Sequence, residues 1–136
     1  MAKQTILGAD PLGKSILDGN IKICAFATGA TDTITLTPAD TDVLISNTSS
    51  SDCYIVLPPV AECRGLTFTF FKTDSGTQSV FLIPNSWIDT DLEGGDSYFW
   101  NQGGNKEMDF DAQYDWAMLR SNGICWLSIA QGDGIA

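Results

Sequence analysis

Leu66-Thr67-Phe68-Thr69-Phe70-Phe71, Thr73-Asp74-Ser75-Gly76-Thr77 and Val80-Phe81-Leu82-Ile83 decide the fold class. The first run alternates apolar and polar residues with period two, the signature of a strand with one buried face. The second is turn chemistry, because Asp, Ser and Gly accept the dihedrals that bends require. The third is a short β-branched and aromatic run, so the whole reads as a hairpin. Phe68, Phe70 and Phe81 are its expected core residues.

The same grammar extends in both directions. Ile21–Phe26 is a strand-like run, and Thr33-Ile34-Thr35-Leu36-Thr37 alternates. Val43-Leu44-Ile45 and Tyr54-Ile55-Val56-Leu57 flank a Ser/Thr/Asn loop at 46–52, and Pro58-Pro59 stops the second run because proline donates nothing to a ladder. Downstream, Trp87-Ile88 and Tyr98-Phe99-Trp100 flank an acidic loop. Met108, Phe110 and Ala112 alternate with Asp109 and Asp111, which favours strand over helix in 105–113. Trp116–Leu119 and Ile124–Ile129 flank Ser121-Asn122-Gly123, and Asn-Gly between apolar runs signals a type I′ hairpin with Trp126 as a core anchor. Nine or ten short strands at intervals of about 8–12 residues imply an all-β, antiparallel β-sandwich or jelly-roll-like single domain. Residues 21–136 form that domain. Residues 1–20, broken by Pro11 and three glycines, read as an extended N-terminal arm, ordered only where something ties it down.

Composition limits the partners. The 136 residues carry 7 Lys and Arg against 17 Asp and Glu, a net charge of −10. Phosphate binding is driven by cationic side chains, so neither nucleic acid nor an anionic membrane is the expected partner. No apolar run is long enough to span a bilayer, and the start of the chain lacks the pattern of a secretory signal. Synthesis in the cytoplasm is the expectation. Charge is uneven: Lys3, Lys14 and Lys22 outweigh Asp10 and Asp18 over residues 1–24, leaving −11 on the rest. An arm of that balance, with Ile6, Leu7, Ile16 and Leu17, suits docking on an acidic neighbour. It is too short for the charge to be decisive alone.

The chemistry-bearing residues are few. The chain has no His, which removes the usual general base and the commonest metal ligand. No phosphate loop or nucleophile elbow is present. Carboxylate pairs exist, as in any acidic domain, and no catalytic residue and no cofactor are expected. The four cysteines have no zinc-site spacing. Cys24 and Cys125 read as buried thiols; Cys53 and Cys63 bracket Leu57-Pro58-Pro59 and could cross-link it in an oxidising exterior. Asp89, Asp91, Glu93 and Asp96 resemble half of a calcium loop, but Trp100 stands at the twelfth position where a bidentate Glu belongs. A solvated acidic turn explains them as well. Asp40-Thr41-Asp42 and Asp109-Phe110-Asp111 are weaker versions of the same pattern. The aromatic residues Trp87, Tyr98, Phe99, Trp100, Tyr114, Trp116 and Trp126 gather in the C-terminal half, where exposed members would stack on a sugar or fill an interface pocket.

The C-terminal two-thirds resembles the small β modules of tailed-phage virion proteins. The resemblance rests on a Leu-Pro entry before a glycine (Leu57, Pro58, Gly65) and the alternating strand and turn from Leu66 to Thr77. It continues in the strand ending at Pro84, and in Tyr114–Ile129 with its Ser-Asn-Gly turn and Trp-bearing last strand. Such modules occur in capsid decoration (cement) proteins, head fibres and tail fibres. The chain reads as one short module with an arm, without internal repeat or coiled-coil stalk, which favours the decoration type. The resemblance implies a homotrimer on the virion surface that binds the major capsid protein, clamps neighbouring subunits and stabilises the shell. A tail, head-fibre or baseplate subunit, or a glycan-binding module using Trp87 and Trp100, are the alternatives.

Overall fold

The computed structural model describes residues 21–85, the backbone of 99–100, and residues 107–132. The expected arm, Trp87 and the acidic loop at 89–96 lie outside them. The described chain is all β apart from one turn of 3₁₀ helix, Val60–Cys63.

Two sheets make the body. One has six strands in the order β1 (Ile21–Phe26), β3 (Asp42–Asn47), β5 (Thr67–Lys72), β9 (Trp116–Ser121), β10 (Trp126–Gln131) and β7 (Phe99–Trp100). The other has four: β2 (Thr33–Thr35), β4 (Cys53–Val56), β6 (Val80–Ile83) and β8 (Met108–Phe110). Alternation places one face of the strands inside wherever their side chains are described. Cys24, Phe26, Val43, Ile45, Phe68, Phe70 and Leu119 from the larger sheet meet Ile55, Val80, Leu82, Met108 and Phe110 from the smaller in one core.

The antiparallel expectation fails for the first half of the chain, and again for β7, which pairs in parallel with β10. Residues 21–83 climb as three rungs, each contributing one strand to each sheet, and the rungs pair in parallel. Ile21 pairs with Asp42 and Thr33 with Tyr54, both 21 residues on. Asp42 pairs with Thr69 and Cys53 with Val80, both 27 residues on. This is an internal structural repeat within one domain, contrary to the expectation of a chain without internal repeat. Each rung ends on an inward aliphatic residue just before or near a proline: Leu36 before Thr37-Pro38, Leu57 before Pro58, Ile83 before Pro84. The Leu36 amide donates to Val56 O and the Leu57 amide to Ile83 O, so these ends are tied rung to rung.

The supposed hairpin of β5 and β6 is therefore a corner. The two strands belong to different sheets, and a seven-residue connection exceeds the usual two to five of a hairpin. Phe68 and Phe70 are buried as expected, but Phe81 is half-buried and stacks on Tyr54, at a centroid distance of 5.6 Å, outside the smaller sheet.

Antiparallel pairing begins only where the rungs are closed off. β8 pairs antiparallel with β6, and β9 with β5 and β10. The β9–β10 hairpin is as expected, but its turn is not type I′. Only Gly123 takes a positive φ, at 89°; the Asn122 carboxamide oxygen instead accepts the amides of Ile124 and Cys125, both at 2.8 Å. The Ser121 hydroxyl donates to Val60 O at 2.7 Å, fastening this turn to the 3₁₀ helix.

All four cysteines are buried, and none forms a disulfide. Burial, opposed by Lys22 and aided by Asp40, pushes the Cys24 thiol up to about 11. It stays protonated and behaves as a core side chain.

Candidate docking face

The outward face of the six-stranded sheet is unusually apolar. On β1 it carries Ile21 and Ile23, 55% and 64% exposed, while Cys24 and Phe26 point inward. β1 is thus apolar on both faces, which a strand facing water does not need. Register carries the apolar character across the sheet: Ile23 is opposite Leu44, Leu44 opposite Phe71, and Phe71 opposite Trp116. A parallel row runs Ile21, Asp42, Thr69, Met118. Between them lies an open trough of about 390 Å³, with Ile21, Leu44, Phe71, Trp116 and Met118 among its walls.

Both charged side chains among the described residues of this face are engaged. Asp42 accepts the Thr69 hydroxyl at 2.8 Å, and Arg120 donates to the Thr67 hydroxyl oxygen at 3.1 Å. What remains offers contact area and little hydrogen bonding.

One end of the trough is a built aromatic wall. Tyr114, 64% exposed, stacks on Phe71 at a centroid distance of 5.9 Å. Its φ is 73°, a left-handed conformation costing a non-glycine residue roughly 1–2 kcal/mol. The surrounding bonds hold it there. The Tyr114 amide donates to Lys72 O and the Lys72 amide to Asp115 O, both at 2.8 Å. The buried Asp115 carboxylate accepts the amides of Asp111 and Ala112. Trp116, 39% exposed, lies against Gly132, where a Cβ would come within about 2.5 Å of the indole. Gly132 is bare so that the ring can lie over the chain.

The sequence-derived candidates are distributed differently. Lys3, Ile6, Leu7, Lys14, Ile16 and Leu17 of the arm, Trp87, and Asp89, Asp91, Glu93 and Asp96 lie outside the described residues. Trp100 lies in β7, its backbone opposite Leu127 of β10. The C-terminal aromatics do not form one group: Trp126 is fully buried, while Tyr114 and Trp116 face out. Ile21, Ile23, Leu44, Phe71 and Met118 were not among the expected site residues. Their signal was the adjacency of apolar pairs such as Phe70-Phe71, which puts hydrophobes on both faces of one strand.

The acidic groups have local tasks. Asp40 accepts the Thr37 amide and hydroxyl in a tight turn. Burial pushes Asp109 above the usual carboxylate range against its bond from Ser79, with Asp111, Asp52 and Asp115 adding to the rise. No three His, Cys, Asp or Glu side chains converge on a possible metal position among the described residues.

Searches against known protein families and characterised proteins find no match to this chain.

Proposed function

We propose that this protein is a structural subunit of a tailed-phage particle, and specifically a capsid decoration protein that clamps neighbouring capsid subunits. The observation that carries the reading is the apolar trough on the outer face of the six-stranded sheet. Contiguous exposed apolar surface on an otherwise acidic body is assembly surface. An extended arm from a neighbouring subunit lying in that trough links the copies, while the acidic body keeps the free subunit soluble. Ligands that bind only the assembled shell stabilise it by mass action.

A tail or head-fibre subunit is the second reading, and the three parallel rungs favour it. Repetition along an axis is how fibre modules grow. Counting copies by electron microscopy of the phage that encodes the chain decides between them. Hundreds of copies on the head support decoration; a handful at the tail support the fibre.

Binding gives the direct test. Wild-type protein is expected to co-sediment with capsids. Phe71→Asp, and separately deletion of residues 1–20, should reduce binding at least tenfold, with strand content retained by circular dichroism. Undiminished binding by both variants removes the face and the arm from the attachment.

A further inference from the structure

The trough is small for a globular partner. With strands about 4.8 Å apart, the four-strand row is roughly 15–20 Å wide. Two such rows present a few hundred Å², below the roughly 800 Å² that each partner buries in a standard interface. A footprint of that size fits one extended segment of about six residues, which spans roughly 20 Å.

The chain carries such a segment next to the trough. The described structure begins at Ile21, which is itself one of the trough's walls. The preceding twenty residues include Leu12, Ile16 and Leu17, and between Leu17 and Ile21 stand Asp18, Gly19 and Asn20. Those three are reversal chemistry, since Gly and Asn adopt the positive φ that tight turns use. A connection this short gives an effective concentration in the millimolar range, so a weak apolar contact suffices to fill the site. Residues 12–17 carry one Lys and no carboxylate, and the body they approach is acidic.

We infer that in the free protein residues 12–17 fold back across their own sheet and occupy the trough bounded by Leu44, Phe71, Trp116 and Met118. The arm then shields the apolar face until a partner takes its place. This deepens the proposed function at the same face, but it concerns the unassembled chain, so it can fail while capsid binding stands.

Photo-cross-linking of the full chain tests it. A benzophenone amino acid at position 16, in dilute protein, should cross-link within one chain, with Met118 and its neighbours in the trough as the modified residues by peptide mass mapping. Leu44→Asp should cut that cross-link at least fivefold. Cross-links elsewhere, or no cross-link, overturn the inference. Cross-links that join two chains overturn it as well, in favour of arm exchange between copies. As an independent measure, Ile16→Asp/Leu17→Asp should raise binding of a hydrophobic dye severalfold with the far-ultraviolet spectrum unchanged; unaltered dye binding counts against it.

Discussion

Asp74→Ala is expected to lose about 3–5 kcal/mol of stability, the cost of stranding a buried charge. Lys72 occupies the third rung where Ile45 stands in the second, and it is completely buried. Its ammonium donates to the Asp74 carboxylate at 2.9 Å and to the backbone oxygens of Asp74 and Gly76 at 3.4 and 3.3 Å. The same carboxylate accepts the amides of Asn47 at 2.9 Å and Gly76 at 3.0 Å. One side chain therefore neutralises the buried lysine, closes the 73–79 corner and ties the third rung to the second. Removing it leaves all three tasks undone. Thermal unfolding should report a fall of about 10–20 °C. Lys72→Met/Asp74→Asn, which takes out both charges together, should lose much less, and an equal loss would show that charge stranding is not the cause.

The pair also sets an acid limit. Burial acts to raise the Asp74 carboxyl, but the Asn47 amide, the Lys72 bond and charge, and the Gly76 amide together hold it below the usual range. A carboxylate whose folded value lies below its unfolded value, about 3.9, stabilises the protein above that pH. The contribution fades as pH falls through the folded value. Acid titration of the wild type should therefore show a loss below about pH 4 that is diminished in Asp74→Ala.

Trp126→Ala is the other large effect, expected at about 3–5 kcal/mol by chemical denaturation. Trp126 is the largest fully buried side chain and meets Phe68 edge-on, with centroids 5.4 Å apart. It stands on β10 opposite Ser121 of β9 and Phe99 of β7, so its cavity would open beneath three strands. Trp126→Phe should cost clearly less. It keeps an aromatic ring against Phe68 and deletes an indole N–H that has no hydrogen-bond partner among the described residues. Equal losses for the two variants would contradict the packing account.

Period-two alternation identified β2, β5 and β8, apolar runs marked β1 and β3, and Asn-Gly between two apolar runs marked the β9–β10 hairpin. Direction was not legible. A strand followed by a turn and another strand looks the same in sequence whether the chain doubles back or crosses to a second sheet. Only the connection lengths, such as the seven residues from Lys72 to Val80, held the clue. The repeat was hidden for a related reason. The rungs share burial positions, not residue types, and the second interval is six residues longer than the first. Lys72 at an interior position masked it further. The candidate face was partly legible: Tyr114 and Trp116 were picked out as aromatics, but their joining with Ile23, Leu44 and Phe71 depends on register across four strands, and pairing partners are not written in any one strand.

The ladder of rungs has unequal ends. β5 and β6 are clamped by β9 and β8, whereas β1 and β2 each pair with a single described neighbour, β3 and β4. In a stack where cohesion passes only between adjacent layers, the terminal layer opens most cheaply. The native state therefore breathes from Ile21–Thr35 inward, while the Phe68, Phe70 and Trp126 end persists until global unfolding. The layer that loosens first bears Ile21 and Ile23, so the surface most suited to exchanging partners is also the one with the least to lose by moving.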